Sequence, residues 1–246
     1  MGAVLVSPYI SLAAFGVQTL VTYMSNTGAF GKTNKEVSEN YFSLSTPAGY
    51  AFAIWGVIFT WEGVFVVNQL LNCTLTKNIG LWWISANVLQ TIWSFAFAQE
   101  ALVTSAFILS GLAGSMYMCA GAATSQSIVY VRGPLSLHAG WVAVAALLNW
   151  NLALVGNEAS LNTQIAAAYS TVGAAVLGAM SMLLWKRDVV FATSIAWALV
   201  AIYVKQRNQK AISLSHFHKA TIARLGLYGA GVIGVGIVTL LCDGVY

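Results

Sequence analysis

The chain has 246 residues, of which 59% are hydrophobic and only 7% are charged, and its formal net charge is +4. Because an average soluble domain has about a quarter charged residues, too few charges remain here to cover a water-facing surface. The long continuous apolar runs lack the alternation of a membrane barrel, so they predict an all-α polytopic membrane helix bundle. The small net charge argues against a nucleic-acid partner.

Taken in chain order, apolar runs of about 17–25 residues predict eight membrane helices. The first run lacks the basic start of a secretory signal, so it is interpreted as a membrane helix. Brief links make neighbouring helices antiparallel, which predicts one bundle without a soluble domain. The predicted spans are 8–24, 47–71, 79–98, 102–125, 134–155, 164–185, 189–204 and 220–242.

The first long link, 25–46, contains a helix-start signal. Thr33 and Glu36 have the spacing of a capping box, which predicts a short helix over residues 33–40. With eight spans, the links alternate between two sides, and the positive-inside rule places this link on the cytoplasm-like side, with both termini opposite. That side carries Lys32, Lys35, Lys205, Arg207, Lys210, Lys219 and Arg224, and the other carries Lys77, Arg132, Lys186 and Arg187.

Small residues recur at helical spacing in two spans. Such ridges let helix backbones approach closely in lipid. They favour close packing inside the bundle, with docking to another membrane subunit or a second copy of the chain as the alternative. The ridges are Gly111, Ser115, Cys119 and Ala123 in the fourth span, and Gly226, Ala230 and Gly234 in the last.

Three helices each carry a stripe of aromatic and polar residues on one face. If the stripes converge, they line a cavity with flat apolar walls and a few hydrogen-bonding groups, as expected of a site for a flat hydrophobic molecule. The alternative is that these polar groups bond helix to helix. The stripes are Trp55 and Glu62; Trp83, Asn87, Gln90 and Ser94; and His138, Trp141, Ala145 and Asn149.

Glu62 is the sharpest single candidate, because a carboxyl group within an apolar helix is costly unless it is paired. We expect it to point inward and to bond with Gln90, Asn87 or His138. His138 has two interpretations, a hydrogen-bonded side chain or a metal ligand, including for the magnesium of a chlorophyll. No nucleophile triad, phosphate loop or cysteine–histidine motif is present, so no enzyme and no metal site is predicted.

Several segments together resemble the TspO/MBR superfamily, the relatives of the translocator protein, in its longer branch with extra C-terminal helices. "TPAGYAFAIWGVIF" at 46–59 is similar to the second-helix signature of that branch, and "GKTNKEVSENY" at 31–41 to the loop before it. "IWSFAF" at 92–97 resembles the third-helix tryptophan motif. Further likeness lies in Trp141, Ala145, Leu148 and Asn149, and in "IAWALVAIYVKQ" at 195–206.

The resemblance implies a five-helix core over residues 1–156, with a hydrophobic pocket beneath the first long loop, and three additional helices over 157–246. Pro47 is expected in the first turn of the second helix, and Gly49 to permit a close approach. Ile54 stands where the well-known short members have a proline, and Gln90 stands where they have an asparagine. These changes alter the pocket wall, so the identity of the ligand cannot be carried over directly from those members to this chain. The candidate ligand-binding residues are Tyr50, Phe52, Trp55, Glu62, Trp83, Asn87, Gln90, Trp93, His138, Trp141 and Asn149.

The predicted function is a non-enzymatic integral membrane protein that binds a flat hydrophobic ligand: a tetrapyrrole (haem, porphyrin or chlorophyll) or a sterol-like molecule. The alternative is a structural accessory subunit of a large photosynthetic or respiratory membrane complex, in contact with pigments or lipids. A secondary transporter is disfavoured, because clear repeats and charged residues in the spans are lacking. The membrane stays open between an organellar inner, thylakoid and bacterial inner membrane.

Overall fold

The computed structural model describes residues 7–72, 77–207 and 215–243, and within these ranges the chain is all-α, without strands. A 3-10 turn (Gly49–Ala53) precedes the third helix and a π turn (Ile128–Arg132) precedes the sixth. The helices are α1 (Pro8–Asn26), α2 (Asn34–Asn40), α3 (Ile54–Asn72), α4 (Lys77–Ala98), α5 (Leu102–Ala122), α6 (Gly133–Gly156), α7 (Leu161–Lys186), α8 (Val189–Arg207) and α9 (Ser215–Cys242).

The eight long helices correspond to the eight predicted spans. Six of them are long and apolar enough to cross a membrane: α3 with its 3-10 turn, α5, α6 with its π turn, α7, α8 and α9. The protein is therefore an integral membrane protein. The short helix predicted over 33–40 is α2, and both hydrogen bonds of the Thr33–Glu36 capping box are formed.

Helix α6 lies at the centre of the bundle. It packs against α3, α5, α7 and α8, and 61% of its most apolar 18-residue stretch is buried inside the bundle. Helix α4 lies between α1 and α5, whereas α9 covers α8 and α7 and is only 22% buried. The boundary between a five-helix core and three additional helices stays a prediction.

Helices α1 and α4 are not among the six apolar spans because they carry a seam of polar residues where they meet. The hydroxyl oxygens of Thr22 and Ser94 lie 3.2 Å apart, and the Ser25 hydroxyl donates to the Ser94 carbonyl at 3.3 Å. The Ser11 hydroxyl likewise donates to Gln69 on α3. The polar side chains that lower the hydropathy of α1 thus face the protein, as interhelical bonds in membranes do.

The small-residue ridges pack within the chain at some of their positions but not at Gly234, where an added Cβ would meet nothing within 4 Å. On α5, Cys119 and Ala123 are fully buried, and Cys119 lies against the Ile79 carbonyl of α4. On α9, a Cβ at Gly226 would stand 3.0 Å from the Leu199 carbonyl oxygen of α8. Close helix packing inside the bundle is confirmed at these positions.

The start of α3 differs from the prediction. Pro47 lies outside the helix, because the 3-10 turn begins at Gly49 with extended Ala48 before it. The Ala48 N–H donates to the Ala201 carbonyl of α8 at 2.9 Å, so this contact, and not helical bonding, holds the segment. A Cβ at Gly49 would meet only the Lys35 side chain at an ordinary 3.5 Å, so packing does not require glycine there.

The links lie at the two ends of the bundle in the predicted order. Lys32 pairs with Glu100 in the α4–α5 link, and Glu39 lies 3.9 Å from Lys205 near the end of α8. At the opposite end, Arg132 donates to the Lys186 carbonyl at 2.7 Å. The loop that contains α2 is thus at the end where α4 and α8 finish.

Candidate ligand pocket

Three helices bring their aromatic residues together around Trp55 of α3. The Trp55 ring centroid lies 6.4 Å from that of Trp93 on α4 and 6.1 Å from that of Trp141 on α6, with the Trp141 ring edge-on. Phe52, in the 3-10 turn, also meets Trp141 edge-on, at 6.2 Å. These spacings are those of favourable aromatic pairs. The predicted stripes of α3 and α6 therefore meet, through Trp55 and Trp141, whereas the predicted stripe of α4 does not join them: Trp93 contacts Trp55 instead, and Ser94 of that stripe faces Thr22 of α1.

A small cavity lies within this aromatic cluster, beneath α2 and the segment that leads into α3. Its free volume is about 40 Å³, which is room for a few water molecules. Drug-sized ligands occupy pockets of about 300–1,000 Å³, so a tetrapyrrole does not fit in this closed conformation. The lining residues are Ser38, Pro47, Phe52, Trp55, Trp93, Phe97, Leu109, Trp141, Ala145, Leu148, Asn149 and Leu152.

Asn149 is a polar member of the cavity wall whose amide is fully engaged. Its Oδ1 accepts the Trp93 indole N–H at 3.0 Å, and its Nδ2 donates to the Ser105 hydroxyl at 3.0 Å and to the Leu102 carbonyl at 3.3 Å. This amide therefore ties α4, α5 and α6 together and fixes the orientation of the Trp93 ring in the wall.

Glu62 and His138 form a buried pair next to the aromatic cluster. The Glu62 carboxylate oxygen Oε1 lies 2.7 Å from His138 Nδ1, and the His138 ring is edge-on to Trp55 at 5.5 Å. The expectation that Glu62 points inward and meets His138 is confirmed. Glu62 Oε2 and His138 Nε2 are buried without a hydrogen-bond partner. Buried polar atoms without a hydrogen-bond partner are rare in proteins.

The other predicted site residues lie outside the cavity wall. Trp83 packs between Phe15 and Phe65, and Asn87 donates to the carbonyl of Trp83 within α4. Gln90 is buried, and neither its amide oxygen nor its nitrogen has a partner.

Tyr50 is 42% exposed and packs edge-on against Trp197 of α8. The five predicted residues that line the cavity are Phe52, Trp55, Trp93, Trp141 and Asn149.

Sequence reasoning missed part of the wall. Phe97 follows Trp93 by one helical turn and stacks on it at 4.9 Å, a spacing that could have identified it. Leu109 and Leu152 are ordinary apolar positions without any such signal. Ser38 reaches the cavity only because α2 folds back over the bundle.

Charged contacts hold the link that carries α2. The Thr33 backbone N–H and hydroxyl donate to the Glu36 carboxylate, which lowers the pKa of Glu36. The ammonium group of Lys32 lies 2.8 Å from the Glu100 carboxylate. This bond lowers the pKa of Glu100 and raises that of Lys32.

Comparison with known proteins gives one finding. A family model described as TSPO-like protein matches residues 8–239. No curated protein and no solved structure matches the chain. Among the described residues, no group of three His, Cys, Asp or Glu side chains is placed to hold a metal ion.

Proposed function

The chain belongs to the TSPO-like protein family, and from this premise we propose that it binds a flat hydrophobic ligand in the aromatic cavity and performs no chemistry on it. A tetrapyrrole is the leading ligand class, with a sterol-like molecule next. The observation that carries the proposal is the convergence of Phe52, Trp55, Trp93 and Trp141 from three parts of the chain onto one cavity. Flat aromatic walls suit a flat apolar ligand.

Ligand binding at this site requires the cavity to open. Its roof consists of Ser38 of α2 and Pro47. The start of the link that carries α2 is held to the end of α4 by the Lys32–Glu100 ion pair and by the Lys32 N–H, which donates to the Ala98 carbonyl at 3.0 Å. The ion pair contributes little free energy, so opening at this end costs chiefly the backbone bond. We propose that an outward movement of the link that contains α2 enlarges the cavity for the ligand.

A buried polar group in the cavity wall supports a ligand with hydrogen-bonding groups on its rim. The indole N–H of Trp141, a lining residue, is buried without a partner. In a bilayer such a group costs free energy that a bound polar group recovers. A purely aliphatic ligand would leave the indole N–H as it is, whereas a porphyrin with carboxylate substituents brings an acceptor for it.

We also propose that all eight long helices cross the membrane. Helices α1 and α4 have 19 and 22 residues, which at 1.5 Å per residue span about 30 Å. Their buried polar seam faces the protein, so their outer faces remain apolar toward lipid.

A binding titration tests the ligand proposal. The purified protein in detergent is titrated with a free-base porphyrin, and quenching of tryptophan fluorescence is followed together with the Soret band. We expect saturable binding to the wild type. Ala145→Leu, which fills the cavity, and Trp55→Leu, which removes its central wall, should each weaken binding at least tenfold. Trp185→Leu is the matched control, because Trp185 is 82% exposed on α7.

The alternative is a structural accessory subunit of a larger membrane complex. The closed cavity of about 40 Å³ favours it, because a scaffold has no need of an open site. The outer face of α9 also offers contact surface, with Tyr228 and Val235 more than 60% exposed. If the wild type showed neither saturable porphyrin binding nor a co-purified pigment, the ligand proposal would be wrong and this alternative would take its place.

A further inference from the structure

A second, larger groove lies on the outside of the bundle, at the end opposite α2. Its volume is about 730 Å³, and it runs between the start of α4 and the ends of α5 and α7. Each helix contributes residues at one-turn spacing, so the groove follows three helix faces. Its lining residues are Leu81, Trp82, Ser85, Tyr117, Met118, Gly121, Ala122, Met182 and Lys186.

The groove combines an apolar channel with aromatic rims and one cation. Leu81, Tyr117 and Met118 are each about half exposed, a pattern that suits contact with acyl chains. Trp82 and Tyr117 lie near the start of α4 and the end of α5, and tryptophan and tyrosine are enriched at membrane–water interfaces, where their polar atoms meet headgroups. Lys186, in the last turn of α7, is exposed at the groove and places its charge at the same level.

Within the described residues, Lys186 has no ion pair with an acid. The nearest acid along the chain, Asp188, is buried and already engaged. It accepts the Ser136 hydroxyl at 2.6 Å and the Phe191 N–H at 3.0 Å, and Arg132 stands 4.0 Å away. Asp188 therefore faces Arg132 and the bundle interior, and it forms no ion pair with Lys186. The groove therefore ends in a cation that is free to meet an anion from outside.

We propose that this groove binds one anionic phospholipid, with an acyl chain along the apolar faces of α4 and α5 and the phosphate at Lys186. Charge complementarity favours an anionic lipid over a zwitterionic one, because a zwitterionic headgroup would bring its own cation close to Lys186 along with its phosphate. Basic residues near the membrane surface each favour anionic lipid by about fivefold. The site is separate from the aromatic cavity and does not depend on what that cavity holds.

Native mass spectrometry of the purified protein tests the proposal. Phosphatidylglycerol and phosphatidylcholine of identical acyl chains compete at equal concentration, and the bound lipids are counted. We expect the wild type to retain one phosphatidylglycerol in preference to phosphatidylcholine. Lys186→Gln should lower this preference about fivefold, whereas Arg224→Gln, which removes another exposed cation on α9, should leave it unchanged.

A second pair of variants tests the groove itself. A Cβ at Gly121 meets nothing within 4 Å, so Gly121→Leu fills the groove without disturbing the fold, and it should reduce retention of both lipids. Gly114 is equally open on the same helix but lies outside the groove lining, so Gly114→Leu is the matched control. Equal retention of both lipids by the wild type would overturn the proposal, as would an equal loss of preference in Arg224→Gln. A dimer that Gly121→Leu converts to a monomer would assign the groove to a second copy instead.

Discussion

At the scale of single residues, the Glu62–His138 pair is the contact with the clearest measurable consequence. Glu62→Leu leaves His138 Nδ1 buried without its partner at 2.7 Å. An unsatisfied buried group costs about 1–3 kcal/mol, so thermal unfolding in detergent should show a loss of that size. Glu62→Gln keeps a hydrogen-bonding shape and should be tolerated far better.

The double variant Glu62→Leu/His138→Leu separates pairing from packing. Removing both polar partners leaves no unsatisfied atom at this contact, so the double variant should recover most of the stability that Glu62→Leu loses. If Glu62→Leu alone raised the unfolding temperature, the carboxylate would be unnecessary for the fold, and the buried pair would have to be explained by binding.

At the scale of elements, the capping box of α2 decides how firmly the roof of the cavity is held. Thr33→Ala removes the side chain that accepts the Glu36 N–H. We expect amide hydrogen exchange of residues 34–40 to become roughly fivefold faster, the factor for a cap worth about 1 kcal/mol. Thr33→Ser keeps the hydroxyl and is the control. Unprotected amides across 34–40 in the wild type would contradict the role of α2 as a roof.

The same link should loosen in acid. The pKa values of Glu36 and Glu100 are lowered in the folded state by Thr33 and Lys32, respectively. Their stabilisation is therefore complete above the unfolded carboxyl pKa of about 4.3 and is lost as the pH falls through the lowered folded values. Exchange protection of α2, corrected for intrinsic rates, should fall below about pH 4 while that of α6 stays constant. Equal loss in both helices would indicate general unfolding instead.

Helix α8 fixes the lead-in to α3 through Gln206. Its Nε2 donates to the Thr46 carbonyl at 2.9 Å and to the Ser43 carbonyl at 3.3 Å. Gln206→Leu leaves both buried carbonyls without this donor, and we expect a loss of about 1–3 kcal/mol in thermal unfolding, with faster exchange over residues 43–48. Arg207→Gln, at the exposed neighbour, should change neither measurement.

The elements were more accessible to sequence reasoning than the contacts between them. Hydrophobic run length found the eight long helices, and the Thr33–Glu36 spacing found α2, because both signals are local. The bond from Ala48 to Ala201 joins residues far apart in the chain, so no local pattern announces it. The small size of the cavity could not be predicted from the sequence either, because it depends on how large side chains from several helices pack around Trp55.

At the scale of the whole molecule, the number of crossings separates two topologies. If all eight long helices cross, residues 27–48 lie on one side of the membrane and the α5–α6 link on the other. If only the six most apolar helices cross, α1 and α4 do not, and both segments fall on the same side. Both topologies place the two termini together, so terminal tags alone do not distinguish them.

Two single cysteines distinguish them. Asn40→Cys is at an exposed position at the end of α2, and Ser125→Cys at an exposed position in the α5–α6 link. Each is made in a background without Cys73 and Cys242, with Cys119 left in place because it is fully buried. In sealed vesicles, an impermeant maleimide should label only one of the two sites until the membrane is opened. The pairing of Lys32 with Glu100 and of Glu39 with Lys205 supports this result, because it places the α2 link beside the ends of α4 and α8. Labelling of both sites from the same side would contradict eight crossings and would identify α1 and α4 as helices that do not span.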